Sequence, residues 1–216
     1  MSTSSQIIRL LVADDHALIR EGMKRIIQEQ PDMRIVGEAS NGDEVFSLLE
    51  KNVVDVLLLD ISMPGPGFLS ILQQLQKEYP QTRVLILSIH PEDHYAVRAL
   101  KAGAKGYIEK SHSLEELPKA IRRVNKGRTY ITPTLAERLI EKLENKIDQP
   151  LHDRLSDREL QVLLLIGTGK TLSDIASILA LSPKTISTYR TRILEKMGFS
   201  NNNELIHYSI KNGLID

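Results

Sequence analysis

The chain has 216 residues, enough for two compact domains, and its 41% apolar content lets each bury a core. Lys and Arg total 28, as do Asp and Glu, so the formal net charge is zero and any case for nucleic-acid binding must rest on local charge. The absence of cysteine excludes a disulfide scaffold and a thiolate metal site.

The start, Met1 to Gln6, lacks the basic residues and apolar stretch of a secretion signal. The longest apolar runs, Val56 to Leu59 and Val162 to Ile166, are too short to cross a bilayer. A soluble protein of the cytoplasm, with no membrane partner, is expected. Across the first 126 residues, short runs rich in Val, Ile and Leu alternate with amphipathic stretches. The runs are Ile7 to Ala13, Met33 to Ala39, Val53 to Leu59, Arg83 to Ser88 and Gly106 to Glu109. Their weak alternation suits strands buried on both faces. Leu18, Met23, Ile26 and Ile27 carry helical spacing, as do Val97 and Leu100 before Gly103. Strands alternating with helices of this length predict βαβ units and a parallel sheet.

In an open parallel sheet, ligands bind beyond the C-terminal strand ends. Asp14 and Asp15 end the first strand, Asp60 the third, Ser88 the fourth, and Lys110 follows the fifth. Three carboxylates so gathered repel one another unless a cation neutralises them. Hard oxygen ligands with room for water suit Mg²⁺. Asp60 then becomes a carboxylate nucleophile toward phosphorus, with Mg²⁺ and Lys110 holding the phosphoryl oxygens. The Ser88 hydroxyl is placed to turn toward a new phosphate. His16 and His90 read as surface or loop residues, with His90 at the site rim, where it would tune access of water. Asp15 before Ala17 to Gln28 has a plainer reading as a helix cap.

Residues 6 to 126 resemble the receiver domains of two-component signalling. The resemblance implies a doubly wound, five-stranded, flavodoxin-like α/β fold with Asp60 as phospho-acceptor. It makes Asp14, Asp15, Asp60 and the Ser62 carbonyl the Mg²⁺ ligands, Lys110 the phosphate-binding lysine, and Ser88 and Tyr107 the switch pair. It further implies a partner histidine kinase as phosphodonor. Two features depart from the pattern: the Met63 to Gly67 loop is about one residue short, and Ser111 follows Lys110 where proline is usual.

Pro133 to Ile147 reads as one more helix, with Thr132-Pro133 as its start and leucines at four-residue spacing. It lies in a linker over 127–152, and the polar stretch Asn145 to Arg154, which contains Pro150, runs across the boundary to the next domain. From 153 to 216 the pattern is helical throughout. Ser156 with Glu159, and Thr171 with Asp174, carry capping-box spacing, and Ser182-Pro183 starts a third helix running to about Met197. Two short helices joined by a tight turn make a helix-turn-helix. On the third helix, Lys184, Ser187, Thr188 and Thr191 share a small polar face. Arg190 and Arg192 flank it and suit phosphates. Lys184, Arg190, Arg192 and Lys196 stand there against Glu195 alone.

Leu155 to Gly198 resembles the LuxR-type domain of NarL/FixJ response regulators, through Leu155, Ser156, Arg158, Glu159, Gly169, Ile175, Ala176, Ser182, Lys184, Thr185, Ile186 and Lys196. The resemblance implies Ser187, Thr188 and Thr191 as base readers, and Lys170, Lys184, Thr185, Tyr189 and Arg190 as phosphate contacts. It also implies a dimer contact on a last helix from about Asn203 to Asn212, with double-stranded DNA and RNA polymerase as partners. The whole is expected to be a phosphorylation-controlled transcription factor, a homodimer when active, and not an enzyme. A phosphatase of the haloacid-dehalogenase type needs a second acid two residues after the nucleophile, where Ser62 stands. A DNA-binding protein whose first domain no longer needs phosphate is the remaining alternative.

Overall fold

The computed structural model describes residues 7–64, 66–88, 92–110, 116–133, 135–137, 140 and 150–215. Gly65, His90, Ser111 and most of the stretch up to Ile147 lie outside them. The chain divides into two compact units, Met1–Asn145 and Lys146–Asp216.

The first unit runs β1 (Ile8–Ala13), α1 (Ala17–Gln28), β2 (Met33–Ala39), α2 (Gly42–Leu49), β3 (Val56–Asp60), α3 (Phe68–Glu78), β4 (Arg83–Ser88), α4 (Glu92–Lys101), β5 (Gly106–Glu109) and α5 (Leu117–Asn125). All pairings are parallel, in the order β2-β1-β3-β4-β5. Parallel neighbours need crossover helices, and these cover both faces of the sheet. Leu10, Val12, Leu58, Leu85, Leu87 and Ile108 pack with Met23 and Ile27 of α1 and with Ile121 and Val124 of α5. On the opposite face, α3 meets α4 through Phe68 and Tyr95, whose rings cross edge-on at 6.0 Å. Chain order reverses at β1, so a crevice opens beyond the ends of β1 and β3, the usual ligand position in such sheets. Register holds those ends level: Ala13 pairs with Leu59, Asp60 with Leu87, and Ser88 with Glu109.

Two predicted strands begin later than expected. β1 starts at Ile8, with Ile7 half-exposed, and β3 starts at Val56, with Val53 exposed. Asp55 sets the second boundary, because its carboxylate accepts from the Arg9 backbone N–H at 2.8 Å and from the Arg9 guanidinium. N-cap of α1 is His16, without a side-chain cap, so Asp15 does not fill the role of the plainer reading.

After α5 the chain returns to the sheet. Tyr130 forms an isolated parallel bridge with Gly106 at the β5 edge. Its N–H donates to the Lys105 carbonyl at 2.8 Å, and its carbonyl accepts from the Tyr107 N–H at 3.3 Å. Only glycine permits this approach: a Cβ on Gly106 would lie 2.9 Å from the Tyr130 carbonyl oxygen and 2.7 Å from Leu85. Pro133, 135–137 and Ile140 are helical, and Thr132 Oγ1 accepts from the Leu135 N–H at 3.2 Å, as the start signal predicts.

The second unit holds a 3₁₀ turn (Leu151–Arg154), α6 (Asp157–Gly167), α7 (Leu172–Ile178), α8 (Pro183–Met197) and α9 (Asn202–Lys211). Leu160, Leu163, Ile166, Ile175, Ile186, Ile193, Met197 and Leu205 lie in its buried core. Capping boxes start α6 and α7 at the predicted Ser156–Glu159 and Thr171–Asp174 pairs, and Ser182 caps α8 ahead of Pro183. A left-handed residue follows most helices, where a 6→1 hydrogen bond closes the last turn. That residue is glycine at Gly103, Gly127, Gly169, Gly198 and Gly213. After α7 it is Ala180, at φ 51°, the single non-glycine with positive φ among the described residues.

Candidate functional site

The first site lies at the crevice. The Asp14 and Asp60 side chains are buried, while Asp15 is more open. Lys110 Nζ lies 2.7 Å from Asp14 Oδ2 and 3.0 Å from Asp60 Oδ2, so one ammonium serves two buried carboxylates. Ligating atoms of Asp14, Asp15, His16 and Asp60 fall within 4.8 Å of one another. Burial pushes the Asp60 carboxyl above its ordinary range; Lys110 opposes this and Asp14 reinforces it. The Ser62 N–H donates to Asp60 Oδ1 at 3.2 Å. Ser88 and Tyr107 are fully buried on adjacent strands, and the Lys110 N–H donates to the Ser88 carbonyl at 2.6 Å, which fixes the backbone carrying the ammonium.

Local contacts hold the acidic loop. Arg20 on α1 donates to the Asp14 carbonyl at 2.6 Å, and the Asp14 N–H bonds the Ala39 carbonyl. Asp14 Oδ1 accepts from the His16 N–H at 2.9 Å, and His16 Nδ1 sits 2.8 Å from Asp15 Oδ1. The sequence places His16 at the surface, where it is exposed, and gives Arg20 no role; both touch the acidic pair. An Arg one helical turn into α1 was the available signal.

The second site is α8. Lys184, Ser187, Thr188, Thr191 and Arg192 are exposed along it, while Ile186, Ile193 and Met197 face the core. Ser182, Lys184, Thr185, Thr188, Tyr189 and Arg192 line a cavity of about 320 Å³ at the start of the helix. The Thr188 and Thr191 hydroxyls donate back to the Lys184 and Ser187 carbonyls, at 3.0 and 3.1 Å. In this rotamer each presents lone pairs outward as acceptors. Lys170, just before α7, is exposed.

Two contacts engage basic residues of this helix, and one of them revises its charge count. Lys196 Nζ lies 2.6 Å from Glu159 Oε2, so its charge is spent on a buried capping residue of α6. Arg190 Nε donates to Asn202 Oδ1 at 2.6 Å. The net basic charge on α8 therefore rests on Lys184, Arg190 and Arg192.

Residues 10–122 match the response regulator receiver domain family, and 153–209 match the bacterial regulatory proteins of the luxR family. Response regulator GacA of Pseudomonas viridiflava is 37% identical over 210 residues, covering 97% of this chain and 98% of its own. The chain belongs to the NarL/FixJ response regulators. Response regulator UvrY of Escherichia coli (strain K12) is 35% identical over 208 residues, 96% of this chain and 95% of that one. RcsB of Salmonella typhimurium, solved in a study of conformational dynamism for DNA interaction, superposes with TM-score 0.65 at 26% identity over 94% of this chain and 96% of that one. RcsB dimers bound to two parallel DNAs give TM-score 0.60 at 26% identity, over 94% of this chain and 98% of that one.

As a NarL/FixJ regulator, the chain is a DNA-binding transcriptional response regulator and not an enzyme. Its receiver and luxR-type units are the two compact bodies of the fold. Asp14, Asp15, Asp60, Ser62, Ser88 and Lys110 lie at or beside the C-terminal ends of β1, β3, β4 and β5 of the receiver, and Tyr107 lies within β5. Lys184, Thr185, Ser187, Thr188, Tyr189, Arg190, Thr191 and Arg192 of the regulator all lie on α8. Among the described residues no helix is long and apolar enough to cross a membrane.

Proposed function

We propose that phosphorylation at Asp60 controls DNA binding by this response regulator. The observation that carries the reading is the pair of buried carboxylates, Asp14 and Asp60, gathered around the single Lys110 ammonium. With Asp15 at the rim, three carboxylates face one cation, and the excess negative charge fits a divalent ion with hard oxygen ligands. Asp14, Asp15, Asp60 and the Ser62 carbonyl would hold Mg²⁺, which when bound supplies charge neutralisation at the phosphoryl oxygens. An Asp60 oxygen attacks the phosphorus of a phosphohistidine on a sensor histidine kinase, and the P–N bond breaks as the acyl phosphate forms. Lys110 holds a phosphoryl oxygen, and Ser88 and Tyr107 form the switch pair.

Residues 6–126 make up the receiver domain, 127–152 the linker with its helix, and 153–216 the DNA-binding domain. On α8, Ser187, Thr188 and Thr191 read base edges, and Lys184, Thr185, Tyr189, Arg190 and Arg192 meet phosphates, joined by Lys170 from just before α7. Phosphorylation shifts an existing equilibrium toward a homodimer on double-stranded DNA, where it affects RNA polymerase. Kinase-borne phosphate and chromosomal DNA both imply a cytoplasmic protein.

The test compares promoter-DNA affinity of wild type and Asp60→Ala, each with and without a small phosphodonor and Mg²⁺. Wild type should tighten only with both, and Asp60→Ala should not respond. Equal affinity in every condition would leave a DNA-binding protein without phosphate control.

A further inference from the structure

We infer that Asn202 is a positioning residue that holds the Arg190 guanidinium for a DNA phosphate. The inference rests on the proposed phosphate contact of Arg190 and goes beyond it. Arg190 Nε donates to Asn202 Oδ1 at 2.6 Å, across 12 residues of sequence. This bond uses one of the five guanidinium N–H donors and leaves the outer fork of two Nη groups available for an anion.

The partner's chemistry points the same way. Lys196 on the same helix ends on a carboxylate, so its charge is consumed locally. Arg190 ends on a neutral amide, which orders the side chain and leaves its charge intact. Asn202 is not needed to start α9: Asn201 accepts from the Glu204 N–H, and Glu204 accepts from the Ser200 N–H at 2.8 Å. The turn presenting Asn202 is itself fixed, by left-handed Gly198 and the Phe199 N–H bond to the Leu194 carbonyl at 2.9 Å. A free Arg would lose rotamer freedom on meeting a phosphate, and the Asn202 bond removes part of that loss before DNA arrives.

The experiment measures binding of the full chain to a short mixed-sequence duplex by fluorescence anisotropy across a salt series. Arg190→Ala should weaken binding and reduce the salt slope by about one. Asn202→Ala should weaken binding by about two- to fivefold with the slope unchanged, since only order is lost. Asn202→Asp should lower the slope by about one, because a carboxylate there neutralises Arg190; an acid in the first turn suits α9, so the fold is kept. Wild-type affinity in Asn202→Ala, with Arg190→Ala weakened, would overturn the positioning role alone, as would a wild-type slope in Asn202→Asp. An Asn202→Ala protein that melts earlier yet binds as wild type would also overturn it. Wild-type behaviour of Arg190→Ala would remove the phosphate contact, and the inference with it.

Discussion

Lys110 Nζ lies 2.7 Å from Asp14 Oδ2, closer than the 3.0 Å to Asp60 Oδ2. The ammonium thus belongs to the metal-side acid as much as to the acceptor. Truncating it strands two buried carboxylates. Lys110→Ala should lose about 3–5 kcal/mol at neutral pH without divalent ions. Mg²⁺ should then raise the melting temperature of the variant more than that of wild type. Thermal melts with and without Mg²⁺ check this; an equal gain in both proteins contradicts it.

Asp60 provides the opposite sign. Burial, reinforced by Asp14, pushes its carboxyl above the ordinary range despite Lys110. The native state therefore binds this proton more tightly than the unfolded chain does, and stability is lost as pH rises through the native value. Asp60→Asn should stabilise the metal-free protein at pH 7, by on the order of 1 kcal/mol. That advantage should vanish below the ordinary Asp range, about pH 3.9. Urea melts at several pH values measure it.

Glu159 behaves in the reverse manner. Burial raises its pKa, but Lys196 and Ser156 outweigh burial and hold it below the usual range. Its stabilisation is complete above the unfolded value and lost as pH falls through the native one. Glu159→Gln should cost the second unit about 1–3 kcal/mol at neutral pH. The gap should narrow as pH drops below about 4.3. Chemical denaturation of both proteins, followed by circular dichroism, gives the comparison.

Ala180 carries a left-handed backbone that five other helix ends assign to glycine. Ala180→Gly should stabilise the second unit by about 1 kcal/mol, after allowing for the looser unfolded chain. An unchanged or lower midpoint would mean that the turn is relaxed as it stands.

Much of this was legible because its signals are local. The capping boxes at Ser156–Glu159 and Thr171–Asp174 lie three residues apart, and the Ser182-Pro183 start is a dipeptide. The acids at strand ends were readable because a parallel sheet converts strand order into spatial convergence. Contacts that span sequence left no such trace. Lys196 pairs with Glu159 across 37 residues, and Arg190 meets Asn202 only through the turn between α8 and α9. Counting charge along one helix could not reveal that a core acid from another had claimed Lys196. Val53 and Ile7 looked like strand residues by type, yet the Arg9–Asp55 bonds fix where pairing begins.

The docking of Tyr130 on Gly106 extends the edge of the sheet beyond β5. The chain is not released where α5 ends but stays fastened to β5 up to Tyr130. Gly106 thus guards the edge beside Tyr107: a side chain there would displace the returning segment, whose Tyr130 carbonyl accepts from the Tyr107 N–H.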